Sequence, residues 1–136
     1  MIVFDENVHQ QRIMETVAAW YRGRVLSVRA LRPGTVIKDE ALPTVLRSVR
    51  EPTFVTTNVV DFWRRIPAHR RYCIVCVVLP NDRVPEMPDL LRRLLSVAAF
   101  KTKASRMGKV IRVSDAQLHY YEVHSYRIIQ IRGWST

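Results

Sequence analysis

Apolar residues change their spacing along the chain, and each change of period marks an expected element. Ile2, Val3 and Phe4 form a short unbroken apolar run, which predicts a buried strand. Over residues 8–21, Ile13, Met14, Val17, Ala18 and Tyr21 recur at helical spacing, and Gly23 follows as a helix stop. Residues 24–28 read as a second strand, and Pro33-Gly34 as a turn. Leu42, Val45, Leu46 and Val49 fall at i, i+3, i+4 and i+7, so they share one face of a second helix. Pro43 confines the start of that helix to its first turn, where the missing N–H has no intrahelical partner to lose. Residues 53–57 read as a third strand. Residues 73–79 carry no charge and read as a fourth, buried on both faces. Met87, Leu90, Leu91, Leu94, Leu95 and Ala98 make the clearest amphipathic helix. Residues 101–109 are basic and contain Ser and Gly, the pattern of a mobile loop. Three short strands are expected at 110–113, 118–123 and 127–131, joined by turn residues Ser114-Asp115 and Ser125.

Strands that alternate with helices imply right-handed crossovers and a mainly parallel sheet. The last three strands lack intervening helices and predict an antiparallel edge. At 136 residues the chain has the length of one domain, so a single α/β unit over 1–136 is expected. No apolar run approaches the ~20 residues that span a bilayer, so no membrane association is expected. The opening residues are not those of a secretory signal, and two cysteines make no disulfide framework, so a cytoplasmic protein is expected.

Charge adds a functional clue. Lys and Arg total 22 against 12 for Asp and Glu, a net charge of +10, which attracts polyanions at long range. Eighteen of the 22 are arginines, suited to bidentate phosphate contacts. Nucleic acid is the expected partner; a basic solubilising surface is the plainer alternative.

Against that background the few acids stand out. Asp5 and Glu6 follow the first strand, Asp39 and Glu40 open the second helix, and Asp61 follows the third strand just after Asn58. Ligand sites in open parallel sheets form at the carboxyl ends of the strands. Carboxylates gathered there repel one another unless a cation joins them, and all-oxygen donors without His or Cys favour Mg²⁺ or Mn²⁺. The competing reading is that Asp5 and Asp39 cap helices and Asp61 opens a turn.

Three motifs carry a resemblance. Phe4-Asp5-Glu6-Asn7, Lys38-Asp39-Glu40 and the run from Phe54 through Thr56-Thr57-Asn58 to Asp61-Phe62 resemble, in that order, the acidic steps of a small PIN-like family related to VapC-type toxin ribonucleases. The similarity spans residues 1–100 in element order. It implies a PIN-like fold and a metal-dependent ribonuclease. Asp5, Glu40 and Asp61 would then be catalytic and metal-binding residues. Asn58 would be a further metal ligand, with Glu6 and Asp39 as additional acids, Asp39 competing with Glu40. It also implies a cognate antitoxin and a homodimer. The family often has a second aspartate in the Thr-rich turn, where this chain has Asn58. A neutral amide weakens a second metal ion, and the alternative is a non-catalytic module that binds RNA or protein.

Arg64, Arg65, Arg70 and Arg71 follow Asp61 and are expected to hold RNA phosphates, with Lys101 and Lys103, joined by Arg106 and Lys109, as a second clamp. Cys73 and Cys76 form a C-x-x-C, but on a strand they point to opposite faces and are expected to be core residues. His119 and His124 are expected to be surface or hydrogen-bonded imidazoles. His9 is placed near the Asp5 cleft, Trp20 in the core, and Trp63 as a base-stacking residue. No phosphate-binding glycine motif is present.

Overall fold

The structure is a computed structural model and describes residues 1–8 and 10–134. Strands β1 (Ile2–Phe4), β3 (Thr53–Thr56) and β4 (Cys73–Val77) are buried at every residue, so they require cover on both faces. They form the middle of a seven-stranded sheet with β2 (Val25–Ser27), β5 (Lys109–Val113), β6 (Leu118–Glu122) and β7 (Ser125–Gln130), in the order β2-β1-β3-β4-β5-β6-β7. The first five strands pair in parallel and the last two antiparallel.

Alternation along each strand divides the interior into two cores. Ile2, Phe4, Cys73, Val75 and Val77 point to one face, under α1 (Gln11–Trp20) and α4 (Met87–Leu94). Val3, Ile74 and Cys76 point to the other, with Leu42 and Leu46 of α2 (Leu42–Arg47) and Phe62 of α3 (Val59–Phe62). The result is a three-layer α/β protein with a mixed, mostly parallel sheet. Among the described residues no helix is long and apolar enough to cross a membrane.

Several expectations shift. The first helix ends at Trp20, and Tyr21 caps it in an extended conformation, so Gly23 does not stop it. A Cβ at Gly23 would lie 2.7 Å from the Tyr21 ring, which would have to shift to admit it. The fourth strand ends at Val77, although the Val78 N–H still donates to Val113 O of β5 at 2.8 Å. The amphipathic helix ends at Leu94; Leu95 caps it and Ala98 is exposed. The basic segment 101–109 is ordered. Thr102 and Ser105 cap each other reciprocally around the one-turn helix α5 (Lys103–Arg106). Lys109 already belongs to β5.

Cys73 and Cys76 are fully buried in opposite cores, and burial pushes each thiol up to about 12, as inert core residues require.

Candidate active site

From β1 the chain crosses to β2 on one side, and it then returns to β3 on the other side of β1. Strand order therefore reverses between β1 and β3, and the crevice beyond their carboxyl ends is where such sheets place ligands. Asp5 is the first residue past β1, and its N–H still donates to Val55 O of β3 at 2.9 Å. Thr56 ends β3. Its hydroxyl donates to Asp5 Oδ2 at 2.7 Å, while the Glu6 N–H donates to Asp5 Oδ1 at 2.7 Å. Both carboxylate oxygens are thus fixed by neighbours on two strands.

The network runs on from Thr56. Its Oγ1 accepts from the Asn58 N–H at 2.9 Å, and Asn58 Nδ2 donates to Asp61 Oδ2 at 2.8 Å. Asp5 and Asp61, 56 positions apart in the chain, are joined through two intervening side chains. Asn58 holds Asp61 by its amide nitrogen. The sequence singled out Asn58 as a ligand and gave Thr56 no role. Thr56 is found only once the parallel register sets the end of β3 beside the first residue after β1.

Asp39, Glu40 and Asp61 line one cleft of about 460 Å³ with Pro43, Phe62 and Arg65. Asp39 and Glu40 are there because a single 3-10 turn, Asp39–Ala41, leads into α2. Burial pushes the Asp5 carboxyl up; the hydrogen bonds from Thr56 and Glu6 pull it part of the way back, and the charges of Asp39 and Glu6 raise it again. The charge of Asp39, in the 3-10 turn before α2, is thus felt at Asp5. Glu6 itself faces Arg29 at 4.0 Å.

The expected ligands come to one end of the sheet without closing on one point. Among the described residues no three carboxylate, imidazole or thiol groups stand close enough to hold a metal ion. The oxygen donors nevertheless suit a hard divalent cation. Mg²⁺ keeps most of its water and binds through one or two carboxylates, and a cation would relieve the desolvated Asp5 charge and its repulsion by Asp39.

The expected phosphate clamp is split in two. Arg65 lines the acidic cleft, and Arg64 beside it holds a left-handed backbone, φ 62°, which costs an arginine roughly 1 kcal/mol. Arg70 and Arg71 precede β4, and Lys101 and Lys103 precede β5, so these four lie at the amino ends of the strands. The thickness of the sheet, about 13 Å for four residues at ~3.3 Å each, separates them from Asp5. They cannot flank a phosphate bound at the carboxyl ends. Arg106 and Lys109 are used internally: Arg106 is 2% exposed, and Lys109 Nζ donates to Ala99 O at 3.0 Å. Trp63 is half-buried and packs on Tyr121 with ring centroids 5.2 Å apart, which engages the ring within the fold. Trp20 is partly buried against the α1–α4 core. His119 sits on β6 opposite Arg112, and His124 is an exposed turn residue. His9 lies outside the described residues.

The fold is a three-layer α/β protein with an acidic crevice at its strand switch. The chain matches no protein-family model, no curated protein and no solved structure.

Proposed function

We propose that the crevice beyond β1 and β3 is the active site of a metal-dependent ribonuclease of the PIN-like type, acting in the cytoplasm as the toxin of a toxin–antitoxin pair. The observation that carries this reading is the half-buried Asp5 carboxylate at the strand switch, fixed through both oxygens and facing the charge of Asp39. A desolvated acid held in this way is poised for a cation, and among the described residues no basic side chain forms an ion pair with it.

Asp5 and Asp39 would hold Mg²⁺ or Mn²⁺, with Asp61 and Glu40 on the substrate side of the cleft. The ion, when bound, supplies water activation and charge stabilisation at the phosphate. The chain's own residues do the positioning. Thr56 and the Glu6 N–H keep Asp5 in one rotamer, Asn58 sets the Asp61 carboxylate, and Arg64 and Arg65 hold the phosphate that flanks the scissile bond. An antitoxin would block this same cleft, and a homodimer would leave it open.

A second reading, a PIN-like module that binds RNA or a protein without cleaving, is favoured by the spread of the carboxylates. Incubation with single-stranded RNA and Mg²⁺ or Mn²⁺ separates the two. The nuclease reading expects chelator-sensitive cleavage that drops about 100-fold or more in Asp5→Asn, the order lost when a catalytic electrostatic group is removed. Absence of cleavage by the unmodified protein selects the binding module, and cleavage that survives Asp5→Asn and chelator sinks the site assignment.

A further inference from the structure

The amino ends of the strands carry a second concave surface, opposite the acidic crevice. It is a hollow of about 730 Å³ lined by Arg50, Arg70 and Arg71, with Glu51 as its one acid and Val49 and Met107 among its apolar residues. Three separate segments build it. Arg50 lies on the connection from α2 to β3, Arg70 and Arg71 lie on the connection from α3 to β4, and α5 closes the third side, with Lys103 exposed on it.

Two observations set this hollow apart from a merely basic surface. First, Arg50, Arg70 and Arg71 make no ion pair among the described residues, so the hollow gathers three arginines against a single lining acid, Glu51. Such an arrangement is self-repelling, and a bound polyanion relieves it. Second, the backbone that presents them is fixed. The Arg71 N–H donates to His69 Nδ1 at 3.1 Å, and the His69 ring stacks on buried Tyr72 at 5.5 Å. Desolvation pushes the His69 imidazole down, and the charges of Arg47, Arg70 and Arg71 push it further. Glu51 adopts a left-handed backbone, φ 49°, the kind of local strain that collects at ligand-holding surfaces.

We infer that this hollow is a docking site for the sugar–phosphate backbone of a single-stranded RNA, separate from the acidic crevice. Arginine forks match phosphate oxygens in pairs, and the open hollow admits a chain of phosphates rather than one enclosed anion. The site does not depend on metal or on cleavage.

The test is fluorescence anisotropy of a labelled 15-residue oligouridylate in EDTA, titrated across salt concentrations. Arg70→Glu with Arg71→Glu is expected to weaken binding about tenfold or more and to flatten the salt slope by ~1.4, two phosphate contacts at ~0.7 each for a single strand. The same charge change at exposed Arg127 and Arg132 is the control, expected to weaken binding less than about threefold by loss of general attraction. Arg70→Ala with Arg71→Ala, checked by thermal melting, gives the same ranking if charge reversal disturbs the fold. Equal losses in the two pairs, or no loss at 70 and 71, overturn the site. Displacement of the RNA by polyglutamate at equal charge concentration overturns it in favour of an acidic protein partner. Failed cleavage with retained binding removes only the nuclease reading, and the reverse result removes only this one.

Discussion

Asp5 shows how a single buried carboxylate can weigh against the fold. Its carboxyl is pushed above its ordinary 3.8 chiefly by burial, so between that value and the raised one the folded chain holds more proton than the unfolded chain. The contribution of Asp5 to stability is complete below pH 3.8 and is lost as pH rises through the raised value. At neutral pH it is a cost. Asp5→Asn removes the charge, its oxygen still accepts from the Glu6 N–H, and the Thr56 hydroxyl can turn to accept from the new amide; the variant is expected to melt higher than the unmodified protein at pH 7 in EDTA. The gain should vanish near pH 3, as read by circular dichroism. A variant that melts lower at pH 7 contradicts the account of a desolvated, uncompensated charge. Asp5 was legible because an acid directly after a three-residue apolar strand has few places to go. Thr56 was not, because a threonine at the end of a strand reads as ordinary β propensity until the register names its neighbour.

At the scale of elements, the segment 101–109 departs most from its sequence pattern. Basic and small residues read as a solvated loop, since charge is the usual sign of exposure. Instead, the reciprocal cap of Thr102 and Ser105 turns the chain sharply enough to drive Arg106 under the sheet. There its guanidinium donates to Thr53 Oγ1 at 3.1 Å, Phe100 O at 3.0 Å, Lys101 O at 3.3 Å and the Tyr21 hydroxyl at 3.4 Å. Among the described residues no carboxylate pairs with Arg106. Arg106→Met keeps the aliphatic stem and strands these acceptors. It is expected to cost about 2–4 kcal/mol in urea unfolding, the sum of several lost partners in the interior. Thr102→Ala loses a cap and costs about 1 kcal/mol. The long amphipathic elements were legible because burial repeats every third or fourth residue in α1 and α4. Element ends were not, because Val78 and Leu79 continue the apolar pattern past the last residue of β4, and Leu95 and Ala98 past that of α4.

For the whole molecule, charge follows strand direction. Turns leaving the carboxyl ends carry Asp5, Asp61, Asp82 and Asp115, whereas segments entering the amino ends carry Arg50, Arg70, Arg71 and Lys103. Asp115 is further occupied by Arg83, at 2.6 Å, which also grips Glu86 at 2.7 Å. Sequence order hid this polarity. Arg70 and Asp61 are close in the chain, but the ten residues between Phe62 and Cys73 carry it from one pole to the other. Alternation of strands and helices announced the α/β class and the antiparallel edge. It left open the order of the strands, and with it the place of the crevice, because right-handed crossovers allow β3 on either side of β1.

The two cysteines give the sheet a pair of internal clocks. One thiol faces each layer, and neither meets solvent or ionises while the layers stay closed. Alkylation by iodoacetamide, followed residue by residue with mass spectrometry, therefore times the opening of each layer separately. Equal rates at Cys73 and Cys76 are expected if both helical layers come away with the sheet in one cooperative event; a faster Cys76 would mean that the short helices α2 and α3 detach first.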